Sequence, residues 1–353
     1  MKISETFGLN KTQHELDFVD VDTNRDKSLF IDPFFLSTRH DPWSISSSRT
    51  VKSFFQLAID FIRNNKITDA KHLFSYLHEP NETCLGLSKL EPQGRGVGPD
   101  NSEMIFNSLL ESKAIETGLV EDLEDTAIFI DGIDRDKVSD MTTNIIRWHL
   151  LQYTINQCNL WNIKLTKDVP SGFYWDSSNK KWEATHLERL VIDDKPFLLV
   201  PKIAVSFWKD YTNQKYYQHD ILNFLQGEHL KNKSGLVRQR KLKDGSINEF
   251  VTKKDIKDRE AKYSKEFIRN FTKNHPEIFA KFKSNTGKNV KAVSNIDLEE
   301  IDISKLISFL KDNLSKIPKG PENASKYHNT ILGILEFVFY PNLCNPIDLS
   351  PIK

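Results

Sequence analysis

The acidic segment Glu121–Asp140 holds the densest set of side chains that could do chemistry. Asp131 directly follows the apolar run Thr126–Ile130, and this unbroken apolar pattern predicts a buried strand. Asp134 and Asp140 follow within nine residues. Carboxylates at the end of a buried strand suit Mg²⁺ or Mn²⁺, and such an ion activates water for phosphodiester hydrolysis. The sequence therefore predicts Asp131, Asp134 and Asp140 as metal ligands.

The same acidic residues have a simpler interpretation. A helix is predicted to begin near Asp136, and carboxylates in a first turn stabilise a helix by roughly 0.3–1 kcal/mol each through its dipole. This accounts well for Asp136 and Asp140. It accounts less well for Asp131 and Asp134, since crowded carboxylates repel one another unless a cation lies among them. Under the first interpretation, Asp131 and Asp140 are also catalytic residues.

A lysine set among apolar residues could complete such a site. The segment Lys195–Val205 is predicted to be another buried strand, and Lys202 follows Pro201 within it. Lysine is seldom buried without a partner or a task, although exposure at the strand end is the alternative. A strand that ends in Asp131, a later strand that carries Lys202 and a flanking helix together resemble the core of the PD-(D/E)xK nucleases.

The resemblance covers residues 101–205 and implies an activity. In that family two acidic residues hold Mg²⁺, and a lysine positions the attacking water or stabilises charge, which gives Asp131 and Lys202 catalytic roles here. The chain departs from the family pattern, since Ile130 precedes Asp131 and Val200-Pro201 precede Lys202. The second acid must then come from elsewhere in the chain. The candidates are Glu111, Asp140, Glu183 and Glu188.

The neutral total charge of the chain hides a strong asymmetry. Residues 1–140 contain 25 acidic and 15 basic side chains, whereas residues 231–291 contain 18 basic and 7 acidic ones. A basic region of this kind suits a polyanion, because each neutralised phosphate releases condensed counterions. A solvated lysine-rich helix face and an acidic protein partner are the alternatives.

The basic region has a readable local structure. Asp244-Gly245 lies between two alternating segments and predicts a two-residue β-hairpin turn, after which Thr252 is expected to cap a helix. We expect the cations of this hairpin and helix to bind nucleic acid. They are Arg238, Arg240, Lys241, Lys243, Lys253 and Lys254. Arg95, in the glycine-rich stretch before a predicted helix, is a further candidate for phosphate contact, although a tight structural connection also explains that stretch.

The elements that must position these residues predict an α+β fold. We expect a mixed β-sheet core flanked by helices over residues 1–230. The remaining residues, 231–353, are expected to form the basic hairpin and a helical C-terminal third. Helical spacing of apolar residues is clearest in 51–65, 301–314 and 324–339, and a tryptophan-containing hairpin is expected over 171–184.

Composition limits the class of protein. No apolar run approaches 18 residues, so no membrane span is expected, and the first residues lack the pattern of a secretory signal. The three cysteines are isolated, which indicates a reducing, cytoplasmic location and disfavours a cysteine-based zinc site.

The sequence therefore predicts a metal-dependent nuclease acting on DNA or RNA. Asp32-Pro33 and the segment Asp136–Asp140 also resemble an uncharacterised bacterial family found in phage-defence loci, which would make the nuclease an antiviral effector. The alternative is a subunit without catalysis that binds nucleic acid or a protein partner in a defence complex.

Overall fold

Apolar side chains recur every three or four residues along much of the chain, and these segments form helices. The computed structural model describes residues 1–87 and 99–347. In the first 231 residues the α-helices are α1 (Ile3–Thr6), α2 (Pro33–Thr38), α3 (Pro42–Arg63), α4 (Ile67–Phe74), α5 (Pro99–Glu111), α6 (Asp125–Phe129), α7 (Arg135–Ile145), α8 (Arg147–Leu160), α9 (Asn213–Lys215) and α10 (Leu222–Lys231). The later α-helices are α11 (Lys253–Arg259), α12 (Lys265–Asn274), α13 (Pro276–Asn289), α14 (Asn295–Leu298), α15 (Ile303–Ser315) and α16 (Ala324–Phe339). A π-helical turn, Tyr216–Ile221, joins α9 to α10.

The strands are short and form four separate antiparallel sheets. They are β1 (Phe30–Ile31), β2 (Thr166–Pro170), β3 (Tyr174–Asp176), β4 (Lys181–Glu183), β5 (His186–Ile192), β6 (Lys195–Phe197), β7 (Val205–Ser206), β8 (Arg238–Lys241) and β9 (Ile247–Phe250). The sheets pair β1 with β7, β5 with both β2 and β6, β3 with β4, and β8 with β9. The α+β class is confirmed. The expected mixed sheet is not, because each of these ladders is antiparallel.

Two predicted strands have a different structure. Residues Asp125–Phe129 form the short helix α6, and only Ile130 after it has an extended backbone. The segment Lys195–Val205 is broken, since β6 ends at Phe197 and Lys202–Ala204 form a turn of 3₁₀-helix before β7. The strand predicted to end at Asp131 is therefore a helix. All five residues of α6 are buried, and a fully buried helix lacks the apolar periodicity that distinguishes a helix from a strand in a sequence.

The core is built around α3 and the tryptophan hairpin β3–β4. Trp175 and Trp182 pair across the two strands, as expected, and both rings contact Phe54 of α3 with centroids 5.2 and 5.5 Å away. Phe74 of α4 adds a further edge-on contact to Phe54. Aromatic pairs in this geometry are worth about 0.5–1.5 kcal/mol beyond their buried area, so this cluster fixes the hairpin on the helices.

The C-terminal helices pack against the first part of the chain. Helix α16 contacts the 3₁₀ turn Gln13–Glu15, and a Cβ placed on Gly333 would lie 3.1 Å from Cβ of Glu15. Lys283 of α13 pairs with Asp122 and Asp125 at 2.8 and 2.9 Å. Every helix in the described ranges 1–87 and 99–347 is too short or too polar to cross a lipid bilayer.

Candidate functional site

The three predicted metal ligands have different surroundings. Asp131 follows α6 and is 70% exposed, and its carboxylate pairs with Arg269 of α12 at 3.0 Å. Asp134 caps α7, because its side chain accepts a hydrogen bond from the Lys137 backbone N–H at 3.1 Å. Asp140 lies more than a turn further along the same helix. Asp131 and Asp134 thus have partners that explain their positions without an ion.

Asp140 lies among other carboxylates, since the charges of Asp136, Glu79, Asp134 and Asp26 all act on it; these five residues form the carboxylate cluster. A Cβ on Gly86 would lie 3.4 Å from Oδ1 of Asp136 and 3.6 Å from Oδ2 of Asp26, so both side chains border this glycine. Burial, followed by the charges of Asp136 and Glu79, raises the pKa of Asp140 to about 9. Asp140 therefore holds a proton at neutral pH, and that proton relieves the repulsion within the cluster.

The carboxylates do not form a site for a metal ion in the described residues. Among the residues that the structure describes, no group of three or more His, Cys, Asp or Glu side chains is placed to hold one ion. In the carboxylate cluster, the proton on Asp140 reduces the negative charge. From the sequence, a bound cation was expected in this role. The magnesium or manganese site at Asp131, Asp134 and Asp140 remains a prediction.

Lys202 is fully buried and belongs to an ion pair. Its Nζ lies 2.8 Å from Oε1 of Glu336 in α16 and donates a hydrogen bond to Oδ1 of Asn295 at 2.8 Å. It also lies 4.1 Å from the centroid of the Tyr340 ring. Burial lowers the pKa of Lys202, whereas the charges of Glu336 and Asp17 raise it. The expected lysine at a buried position is present, but its partners belong to the C-terminal helices.

The structure therefore does not bring Asp131 and Lys202 to a common site. Asp131 is an exposed residue held by α12, and Lys202 is an interior residue held by α16. The residues present do not fit the arrangement that the PD-(D/E)xK resemblance implied, in which both groups share one bound water.

The basic hairpin, Arg238–Phe250, is present and exposed. Strands β8 and β9 pair Arg238 with Phe250 and Arg240 with Asn248, so the two arginines project from one face. Lys241 pairs with Ile247 and projects from the other face. The connection is longer than the predicted two-residue turn, since β8 ends at Lys241 and β9 begins at Ile247. Within it the Gly245 N–H donates to the Leu242 carbonyl at 3.0 Å, and Gly245 has φ of +83°, a left-handed conformation that suits glycine.

Most of the predicted phosphate-binding cations are free of acidic partners. Arg240, Lys241, Lys243 and Lys254 are exposed, and none of them forms an ion pair within the part of the chain that the structure describes. Arg238 pairs with Asp255 at 2.6 Å, and Lys253 donates to the Gln218 carbonyl at 2.6 Å. Arg95 lies outside the described residues.

A family model, described as "Domain of unknown function (DUF8370)", matches residues 8–213. No curated protein matches the chain significantly. No solved structure matches it significantly either. The match includes Asp131, Asp140 and Lys202 and ends before the basic hairpin.

Proposed function

The chain belongs to the DUF8370 family, and we propose that it is a nucleic-acid-binding protein that contacts the phosphate backbone through the basic hairpin and α11. The observation that carries this proposal is the set of exposed cations without acidic partners on one projecting element. A cation without an intramolecular partner gives up no ion pair when it meets a phosphate, and the displaced counterions add to the binding free energy.

The geometry of the hairpin supports contact with a backbone rather than with bases. Its cations project from both faces of a two-stranded ribbon, with Arg238 and Arg240 on one face and Lys241 on the other. Charges spread in this way can follow a phosphate chain, whereas reading of bases needs a small set of side chains aimed into one groove. We therefore expect binding with little dependence on nucleotide sequence.

Fluorescence anisotropy with labelled single- and double-stranded DNA and RNA tests the proposal. The variant Arg240→Glu/Lys241→Glu/Lys243→Glu should bind at least about tenfold more weakly than the natural chain. The matched control is Lys167→Glu/Lys305→Glu/Lys316→Glu, which makes the same charge change at lysines that are 70–86% exposed elsewhere. Equal affinity of the hairpin variant and the natural chain, or equal losses in both variants, would reject the hairpin as the binding element.

A metal-dependent nuclease is the second candidate function. The observation in its favour is that the charges of Asp136, Glu79, Asp134 and Asp26 all act on Asp140. In the described residues these side chains are not placed to hold one ion, so the proposal requires that a bound metal draws them together. Digestion of plasmid, single-stranded DNA and RNA with Mg²⁺, Mn²⁺ or EDTA tests it. The nuclease proposal requires cleavage that EDTA stops and that Asp140→Asn abolishes, while Asp60→Asn, at an exposed position of α3, retains it. Absence of cleavage with both metals would reject it.

A further inference from the structure

A second positively charged feature lies outside the hairpin. It is a cleft of about 660 Å³ between the loop before α7, the segment that follows β7 and the first residue of α12. We call it the cationic cleft and define it by Gly132, Asp134, Arg135, Trp208, Lys209 and Lys265. Its volume lies within the range of roughly 300–1,000 Å³ that is typical of sites for small ligands.

The cations of the cleft are held in place by neutral groups. The Nζ of Lys265 donates hydrogen bonds to the carbonyl oxygens of Ile130 and Ile133 at 2.6 and 2.8 Å. The guanidinium of Arg135 lies 4.7 Å from the centroid of the Phe30 ring, and its Nη1 donates to the Phe207 carbonyl at 3.3 Å. These contacts orient the charged groups without neutralising them.

The charge of the cleft is not balanced from within the protein. In the described residues, Arg135, Lys209 and Lys265 have no carboxylate oxygen within 4.0 Å, whereas Lys215 at the edge of the cleft pairs with Asp210. The carboxylate that lines the cleft is that of Asp134, which already caps α7. Cations thus outnumber carboxylates among the lining residues. Asp131 and Asp134 act on Lys265, and Asp297 acts on Lys209, from more than 4.0 Å away, so an anion in direct contact would stabilise the three cations.

The pKa of Lys265 reflects its partial burial at the edge of the cleft. Burial lowers its pKa to about 8, against the charges of Asp131 and Asp134, which raise it, and with those of Arg269 and Lys137, which lower it further. A buried lysine with a lowered pKa beside a cleft is a common feature of functional sites. An anion bound in contact with Lys265 would restore its proton affinity.

The backbone beside the cleft is strained. Trp208 has φ of +48°, a left-handed conformation that bulky residues rarely adopt. Hydrogen bonds from its backbone N–H to Oγ of Ser206 and from its Nε1 to the Tyr211 carbonyl, both 2.9 Å long, hold it there. Strained residues cluster at ligand sites, and this one sets the course of the chain into Lys209.

We propose that the cationic cleft binds the phosphate group of a small phosphorylated molecule of about the size of a mononucleotide. A phosphate dianion would neutralise the excess charge of the cleft, and its oxygens can accept from Arg135, Lys209 and Lys265 together. The remaining volume of the cleft accommodates the organic part of the ligand. This site is separate from the hairpin and is independent of whether the hairpin binds nucleic acid.

Isothermal titration calorimetry on the full chain tests the cleft with inorganic phosphate, adenosine monophosphate and adenosine. Saturable binding is expected for the two phosphates, with adenosine at least about tenfold weaker than its monophosphate. Lys209→Gln and Lys265→Gln should each weaken adenosine monophosphate at least about tenfold, while the exposed control Lys305→Gln leaves it unchanged. Lys209→Gln keeps the test decisive if Lys265→Gln fails to fold, since the Lys209 side chain is exposed.

Proton uptake on ligand binding distinguishes direct contact with Lys265 from a purely structural role of this residue, since a structural role would not change the uptake. At pH 8.5, adenosine monophosphate should bind with uptake of protons because contact with phosphate raises the pKa of Lys265, and the measured heat should then depend on the ionisation enthalpy of the buffer. The hairpin variant should bind adenosine monophosphate normally, so failure of the nucleic-acid proposal would not be mistaken for failure of this one. The proposal is overturned by lack of saturation at about 5 mM of either phosphate. It is also overturned if the cleft variants weaken only nucleic acid.

Discussion

Lys202 is buried, as the sequence pattern indicated, but its partner is a structural carboxylate rather than a catalytic group. A buried lysine was expected to have a task, and its task here is to pair with Glu336 across the contact between the first part of the chain and α16. Burial, followed by the charge of Asp17, raises the pKa of Glu336 to about 7. The pair is therefore an interior element whose loss would leave a charge without a partner.

Replacement of Lys202 should destabilise the protein. Lys202→Met removes the partner of a buried carboxylate, and we expect the free energy of unfolding in urea to fall by about 3–5 kcal/mol. Lys305→Met, at a side chain that is 86% exposed, serves as the control and should change it by less than about 0.5 kcal/mol. A loss below about 1 kcal/mol for Lys202→Met would contradict the buried ion pair.

Asp140 makes the stability of the chain depend on pH. Its pKa is about 9 in the folded protein and 3.8 without the protein environment. The folded state thus binds the proton more tightly, and the resulting stabilisation is complete below about pH 4 and is lost as the pH rises towards 9. Asp140→Asn mimics the protonated side chain and cannot lose a proton.

The Asp140→Asn variant should therefore gain stability relative to the natural chain as the pH rises. Between pH 5 and pH 8 we expect the difference in free energy of unfolding to move in favour of the variant by about 4 kcal/mol, measured by urea unfolding. Asp60→Asn, an exposed change on α3, should show a small difference at both pH values. A variant that tracks the natural chain at both pH values would show that Asp140 is ionised at pH 8.

At the scale of elements, α3 begins at Pro42, nine residues before the predicted start at residue 51, and a local signal marks its true start. Asp41 precedes Pro42 at the beginning of α3, and its side chain accepts a hydrogen bond from the Ser44 backbone N–H at 2.9 Å. Aspartate followed by proline is typical of a helix N-terminus, because the carboxylate satisfies a free N–H and proline needs none. Asp32-Pro33 begins α2 in the same way.

Loss of this cap should be measurable. Asp41→Ala removes the acceptor for the first turn of α3 and should lower the free energy of unfolding by about 1 kcal/mol. Asp60→Ala removes an exposed carboxylate from the same helix without affecting a cap, and its effect should stay within about 0.5 kcal/mol. Thermal unfolding of both variants checks the difference, and equal effects would show that the cap contributes nothing.

The basic hairpin should give nucleic-acid binding a strong dependence on salt. If about five phosphates are contacted, log K should fall against log salt concentration with a slope of about −4 to −5. The triple hairpin variant removes three cations, so its slope should be flatter by about 2–3. Anisotropy titrations at several salt concentrations measure both slopes, and identical slopes would place the phosphate contacts elsewhere.

At the scale of the whole molecule, side chains of the acidic part of the sequence form ion pairs with side chains of the basic part. Lys283 pairs with Asp122 and Asp125, and Arg269 pairs with Asp131. Part of the basic region thus has acidic partners within the same chain, an outcome that was not predicted from the sequence. Arg240, Lys241 and Lys243 of the hairpin take no part in these pairs within the described residues, and they therefore remain available for the proposed contact with phosphates.

The boundary expected at residue 230 is crossed by buried contacts. A chain that ends at residue 230 would leave Lys202 without Glu336 and Asp125 without Lys283. We expect this truncated chain to show no cooperative thermal transition, because unpaired buried charges cost several kcal/mol each. A chain that ends at residue 347 is the control and should unfold like the full chain. Cooperative unfolding of residues 1–230 would establish them as an independent domain.

The sequence by itself determined the elements whose signals are local. Helices α3, α15 and α16 follow the spacing of their apolar residues, and the basic hairpin follows its Asp-Gly turn, because these signals act within a few residues. It also determined the α+β class and the exposed cations of the hairpin. The patterns that misled were unbroken apolar runs, as in α6, since complete burial removes the periodicity that separates a helix from a strand.

Only the tertiary structure decided which side chains act together. The partner of Lys202, the carboxylate cluster around Asp140 and the cationic cleft with Lys265 each join residues that are distant in the chain. A buried charge takes whichever partner the packing of helices places beside it, and sequence spacing carries no record of that choice. The cleft has no motif because Arg135, Lys209 and Lys265 come from three separate segments that only packing brings to one surface.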